Sequence, residues 1–247
     1  MLLMAAPNGA RKTKDDHPEL PITLPETVAC ARACHAAGAD ALHLHVRDAA
    51  GAHSLDPGLY RAALDALAEA VPQMRVQVTT EAAGQFTPAQ QFATLQALVP
   101  DWTTLSVREM ATDPGLAREV YAFCADHRIE VQHILYDAQD AALLSGLQDT
   151  GILGGDASVI LVLGRYTKGM VSDPDDLPAF LAALPPVGRW MLCAFGRREH
   201  DCLRAAARLG GDLRVGFENA HIGPDGTPWP DMASSVRALR DSLGDEP

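Results

Sequence analysis

Ser158-Val159-Ile160-Leu161-Val162-Leu163 is apolar at every position after the serine, so no strand made from it could turn a polar face to water. Strands exposed on one side alternate apolar with polar residues. A continuous apolar run instead marks a strand covered on both faces, the habit of parallel sheets packed between helices. Outward from this run, short apolar stretches alternate with helix-patterned ones along the whole chain. Strands are expected at 2–6, 40–46, 75–80, 102–107, 130–135, 158–163, 189–194 and 213–217. Helices are expected near 25–37, 57–70, 88–98, 114–127, 137–147, 175–183, 198–208 and 231–242. Asp56-Pro57, Thr87-Pro88 and Asp113-Pro114 each set a capping side chain before a proline at the first helical position, and Pro25-Glu26 does similar work. Eight strands, each followed by a helix, is the count of an α/β protein with a (β/α)8 TIM barrel, and a doubly wound open sheet is the alternative.

Bulk properties bound the function. The 247 residues fit one barrel domain over 1–247, and a hydrophobic content of 47% can fill its core. A net charge of −12 argues against binding a nucleic-acid backbone, although a local basic pocket for a small anion stays compatible with it. No run reaches membrane-span length, and Met1 to Ala6 is too short and uncharged for a signal peptide, so a soluble cytoplasmic protein is expected. Cys30, Cys34, Cys124, Cys193 and Cys202 form no CxxC pair and read as free, mostly buried thiols.

In a barrel, functional groups gather at the C-terminal ends of the strands. The second strand ends in Ala41-Leu42-His43-Leu44-His45-Val46-Arg47-Asp48. Alternation sets His43, His45 and Arg47 on one face, with the two imidazoles about 7 Å apart and able to grip one metal ion. The last strand reads Arg214-Val215-Gly216-Phe217-Glu218-Asn219, and only the first strand separates it from the second in a closed barrel. Glu218 could therefore complete a site of two histidines and one carboxylate with open coordination positions, the pattern of catalytic zinc. The alternative is that the histidines are satisfied pocket groups and Glu218 pairs with an arginine. His133 and Tyr136 on the fifth strand could line the pocket, but a single strand histidine is more often structural. No GxSxG, Walker or dinucleotide fingerprint occurs.

The assembled residues resemble the β-keto acid cleavage enzymes, the family that contains 3-keto-5-aminohexanoate cleavage enzyme. The resemblance rests on Ala6-Pro7-Asn8-Gly9, Leu20-Pro21-Ile22-Thr23, Ala37-Gly38-Ala39, the HLHVRD run from His43 to Asp48, Val78-Thr79-Thr80, Phe195-Gly196-Arg197 and the stretch from Gly210 to Asn219. They span nearly the whole chain in the same order. The resemblance implies a zinc-bearing (β/α)8 barrel with His43, His45 and Glu218 as ligands. It also implies condensation of a 3-oxo acid with acetyl-CoA, giving acetoacetate and a new acyl-CoA by Claisen and retro-Claisen chemistry. Thr80 and Thr104 or Ser106 would hold the substrate carboxylate, with Asn8 and Arg47 beside them. Relatives commonly form tetramers, so a homo-oligomer is expected.

Three departures from the family pattern bear on mechanism. Arg214 matches the arginine that partners the usual base, but the aspartate serving as that base is Asn219 here, and an amide takes no proton at neutral pH. The usual glycine pair after the third strand is Glu81-Ala82, making Glu81 a candidate replacement base or ammonium-binding group. Arg108-Glu109 stands where small residues are usual, making Arg108 a candidate carboxylate or phosphate contact. Two other functions compete with acyl transfer: a metal-dependent lyase or aldolase acting without CoA, and a degenerate member that binds a ligand without turnover.

Overall fold

β1 (Leu3–Ala5) sends Leu3 and Ala5 outward to the helices and Met4 inward, and this alternation of faces continues around a closed barrel of eight parallel strands. The computed structural model describes residues 1–244. In chain order β1 is followed by α1 (Leu24–Ala36), β2 (Ala41–Leu44), a hairpin of β3 (Val46–Arg47) and β4 (His53–Ser54), α2 (Pro57–Ala70), β5 (Arg75–Thr79), α3 (Pro88–Leu98), β6 (Trp102–Ser106), α4 (Val107–Met110) and α5 (Pro114–Asp126). Then come β7 (Glu130–Leu135), α6 (Ala138–Asp149), β8 (Ser158–Leu163), α7 (Leu177–Ala182), β9 (Arg189–Ala194), α8 (Glu199–Arg208), β10 (Asp212–Val215) and α9 (Met232–Leu243). Hydrogen-bonded neighbours run β1, β10, β9, β8, β7, β6, β5, β2 and back to β1. The barrel therefore closes, and the open doubly wound sheet is excluded.

The caps foreseen from sequence hold the helix starts. Asp56 accepts from the Leu59 amide at 2.9 Å, Thr87 from the Gln90 amide at 3.3 Å and Asp113 from the Leu116 amide at 3.0 Å, while on α1 the cap is Thr23, in a reciprocal capping box with Glu26 that sequence reasoning missed. Apolar packing is split by the pleat. Leu42, Leu44, Val159, Leu161, Leu213 and Val215 face the helices, whereas Met4, Ala41, Ile160, Val162 and Met191 fill the barrel interior. No helix among the described residues is long and apolar enough to cross a membrane.

Two strand ends differ from expectation, and both shape the site. The run 40–46 breaks at His45: β2 stops at Leu44, and Val46–Arg47 leaves the barrel to pair antiparallel with His53–Ser54. The turn between them is closed by Asp48 Oδ1, which accepts from the amides of Ala50 and Ala52. The run 213–217 likewise stops at Val215, because Gly216 has φ +148 and a Cβ there would strike the Ala6 carbonyl oxygen and the Met232 side chain. The chain turns at that glycine, and Glu218 and Asn219 lie beyond the strand.

Candidate active site

Despite the break in β2, His43 and His45 converge, with ring centroids 5.0 Å apart. Glu218 Oε2 lies 3.7 Å from His43 Nε2 and 3.5 Å from His45 Nε2. One ligand atom from each of the three falls within 4.8 Å of the others, a spacing that could hold one metal ion. Gly9 makes the approach possible: it has φ +63, and a Cβ there would sit 2.6 Å from Glu218 Cγ. The residues suit a metal on chemical grounds as well. His45 Nε2 and Glu218 Oε2 are buried with no hydrogen-bond partner among the described residues, a costly state for polar atoms that a cation between them relieves.

A chain of amides orients the first histidine. The Gln77 Oε1 lies 2.7 Å from His43 Nδ1 and fixes it as the protonated nitrogen, which leaves Nε2 free toward Glu218. Gln77 Nε2 in turn donates to Gln132 Oε1 at 2.9 Å. Burial, with Arg214 nearby, pushes the His43 imidazole down to about 3 against the pull of Glu218, so the ring is neutral as a ligand must be. Burial opposes ionisation of Glu218, but the Arg214 guanidinium beside it outweighs this and holds the carboxyl well below the usual carboxylate range. Arg214 Nη2 donates to Glu218 Oε1 at 3.1 Å and to Cys193 Sγ at 3.2 Å.

A second carboxylate approaches from β5. Glu81 Oε2 lies 3.9 Å from His45 Nε2, and its Oε1 is bound by Arg11 Nη1 at 2.8 Å. Glu81, Glu218 and Asn8 line one cavity of about 230 Å³, together with Arg11, Lys12 and Arg165. Asn219 is buried beside this site, and neither of its amide atoms has a partner among the described residues.

The other sequence candidates divide by location. Thr80 Oγ1 donates to the Thr104 carbonyl at 3.0 Å, Thr104 Oγ1 lies 3.4 Å from Thr79 Oγ1, and the buried Ser106 hydroxyl has no partner among the described residues. Asn8 Nδ2 donates to the Pro21 carbonyl at 2.9 Å. Arg47 donates to the carbonyls of Gly9 at 2.6 Å, Lys12 at 2.9 Å and Gly51 at 2.9 Å, so it pins the loop after β1. Arg108 is held by Asp140 and Asp137 and lies over the Tyr136 ring at 4.5 Å, and it is not among the residues that line the triad's cavity. His133 faces outward to Tyr121 of α5, at 5.5 Å between ring centroids, and so does not line the pocket. All five cysteines are free.

Sequence reasoning missed Gln77, Gln132, Lys12 and Glu199. The glutamines sit in apolar strands at inward positions, a polar residue in a buried register, and that signal was readable. Glu199 Oε1 accepts from the Gly216 amide at 3.0 Å and thereby holds the turn that carries Glu218. Burial raises its carboxyl well above the usual range.

Comparison with known proteins gives one family and a set of distant relatives. The model of the family described as beta-keto acid cleavage enzyme matches residues 1–245. A 3-keto-5-aminohexanoate cleavage enzyme of Acetoanaerobium sticklandii is 24% identical over 227 residues, covering 89% of this chain and 82% of the relative. A 3-oxoadipate:acetyl-CoA acetyltransferase of Cupriavidus necator is 25% identical over 228 residues, covering 88% of this chain and 79% of the relative. Among solved structures, a ternary complex of ObcA with a C4-CoA adduct and oxalate superposes with a TM-score of 0.72 at 16% identity. It covers 92% of this chain, which spans only 64% of the ObcA chain, and the likeness shows the shared barrel alone.

Proposed function

The chain belongs to the family of β-keto acid cleavage enzymes, and on that footing we propose that it condenses a β-keto acid with acetyl-CoA and releases acetoacetate and a new acyl-CoA. It is an enzyme of acyl-transferring type that breaks a carbon–carbon bond. The observation that carries the reading is the convergence of His43, His45 and Glu218, with orphaned buried atoms, where Glu218 borders a cavity that Glu81 also lines. The donor set favours zinc. When bound there, the ion would polarise the carbonyl oxygens of the keto acid and acidify the carbon between them.

The protein's own groups do the rest. Glu81 Oε2 takes the proton of that carbon, because Asn219 offers an amide with no basic lone pair at neutral pH. The carbanion attacks the acetyl thioester and expels CoA thiolate. The thiolate then attacks the ketone carbonyl, and the carbon–carbon bond breaks to leave the acyl group on sulfur. Glu81 returns its proton to the departing carbon, which completes acetoacetate. Ser106, with its free hydroxyl, is best suited of the strand-end candidates Thr80, Thr104 and Ser106 to hold the substrate carboxylate. Arg214 keeps Glu218 ionised and oriented, while Arg47 and Arg108 act by positioning loops.

Metal analysis of the purified protein, followed by a β-keto acid panel with and without acetyl-CoA, tests this. About one zinc per chain and an acyl-CoA product that requires acetyl-CoA are expected. Cleavage without acetyl-CoA would favour the lyase, and ligand binding without any product the degenerate member.

A further inference from the structure

His43 and His45 are not held alike. His43 Nδ1 is met by Gln77, whereas both ring nitrogens of His45 are buried with no hydrogen-bond partner among the described residues. A histidine that gives Nε2 to a metal carries its proton on Nδ1, and that N–H ordinarily finds an acceptor which fixes the ring. His45 has the donor without the acceptor. A neighbouring ring has the opposite need. His53, 4% exposed on β4, has its ring centroid 5.1 Å from that of His45, and its Nδ1 is also buried and unpartnered among the described residues.

The protonation of His53 is fixed by its other nitrogen. His53 Nε2 lies 2.9 Å from the Glu81 carbonyl oxygen, and a carbonyl can only accept, so Nε2 bears the hydrogen. Burial, with His45 nearby, lowers this imidazole to about 4, so at neutral pH the ring is neutral and Nδ1 keeps a lone pair. The ring also sits on a firm support. His53 lies opposite Arg47 in the β3–β4 hairpin, and Arg47 is bound to the carbonyls of Gly9, Lys12 and Gly51. Phe86 meets the His53 ring edge-on at 5.6 Å between centroids. The last torsion of a histidine side chain is broad, so a modest turn of His45 can bring donor and acceptor together.

We propose that His53 is the positioning residue of His45, its Nδ1 accepting the His45 Nδ1–H once a metal ion holds His45 Nε2, an inference that rests on the metal-dependent function given above. Through its Nε2–H the same ring ties that ligand to the backbone of Glu81. Gln77 does this work for His43, and His53 does it for His45 from outside the barrel strands.

Zinc affinity of the full chain, measured by chelator competition, is the readout, because it needs no turnover. An asparagine carbonyl oxygen stands about where Nδ1 stood, and a glutamine N–H about where Nε2–H stood. His53→Asn therefore keeps the acceptor and loses the donor, and His53→Gln does the reverse. His53→Gln should bind zinc about 10- to 100-fold more weakly than the wild type, and His53→Asn within about threefold of it. A purely structural role through the Glu81 carbonyl would give the opposite order. That order, or equal effects of the two substitutions, overturns the proposal. If either variant fails to fold, heteronuclear NMR of the zinc-loaded wild type decides. His45 protonated at Nδ1 and His53 protonated at Nε2 alone are expected, and a proton on His53 Nδ1 overturns the proposal. A wild type that takes up no zinc sinks the proposed function as well, whereas zinc bound with unchanged affinity in His53→Gln overturns this inference alone.

Discussion

His43 and His133 are both strand histidines, both 2% exposed, and both tied through Nδ1, one to Gln77 Oε1 and the other to the Ser158 carbonyl. Burial lowers both imidazoles, to about 3 and about 4. Yet His43 points into the barrel toward His45 and Glu218, and His133 points out toward a tyrosine of α5. Burial, a fixed tautomer and a lowered pKa therefore do not make a site. What separates the two is the phase of the pleat, which brings other donors to one ring and none to the other.

The largest effect that could break this comparison comes from replacing each histidine. His43→Ala should cost zinc and turnover together, with activity down by about 1,000-fold or more, measured by metal content and acyl-CoA formation. His133→Leu should keep the metal and activity, and equal losses in both variants would mean that the inward face is not special. Next is Glu81→Gln, which should lower turnover by about 100- to 10,000-fold while zinc stays bound, since the three ligands are untouched. Asn219→Asp should then restore part of the loss in the Glu81→Gln background and change the otherwise wild-type enzyme by less than about tenfold. A large gain in the wild-type background would make residue 219, not Glu81, the natural seat of the base.

A smaller and purely structural effect sharpens the other half. The His133 imidazole takes a proton less readily when folded than when unfolded, so its contribution to stability is complete above the unfolded value near pH 6.5. That contribution is lost as pH falls from about 6.5 toward about 4, and amounts to about 3 kcal/mol. His133→Leu removes this dependence, so its denaturation midpoint should fall less steeply than that of the wild type over that window. At neutral pH the same variant should lose about 1 kcal/mol with the hydrogen bond to Ser158.

Much of this was legible in the chain. The apolar run 158–163 implied a covered parallel strand, and the Asp-Pro and Thr-Pro pairs marked helix starts that proved accurate. The HLH run and a glutamate near the last strand pointed to three residues that do converge at a spacing that could hold a metal ion. The strand ends were less legible. A sequence pattern reports which residues want burial, but it does not register that Asp48 closes a turn or that Gly216 abuts the Ala6 carbonyl. The first is a local bond from Asp48 to the amides of Ala50 and Ala52 that hydrophobic period does not report, and the second is a contact between distant segments. Nor does the pattern register that Arg47 binds the carbonyls of the loop after β1 or that Arg108 pairs with Asp140.

The sequence by itself determined the class of fold, the order of its elements and the chemical kind of the site, because hydrophobic period, caps and ligand types are local properties of the chain. The tertiary structure decided which of two equally buried histidines is available, which arginines stand free, and that Lys12 and Glu81 border one cavity with Glu218. Those outcomes depend on barrel closure, which sets the phase of every strand at once and brings the ends of β1, β5 and β10 to a single rim.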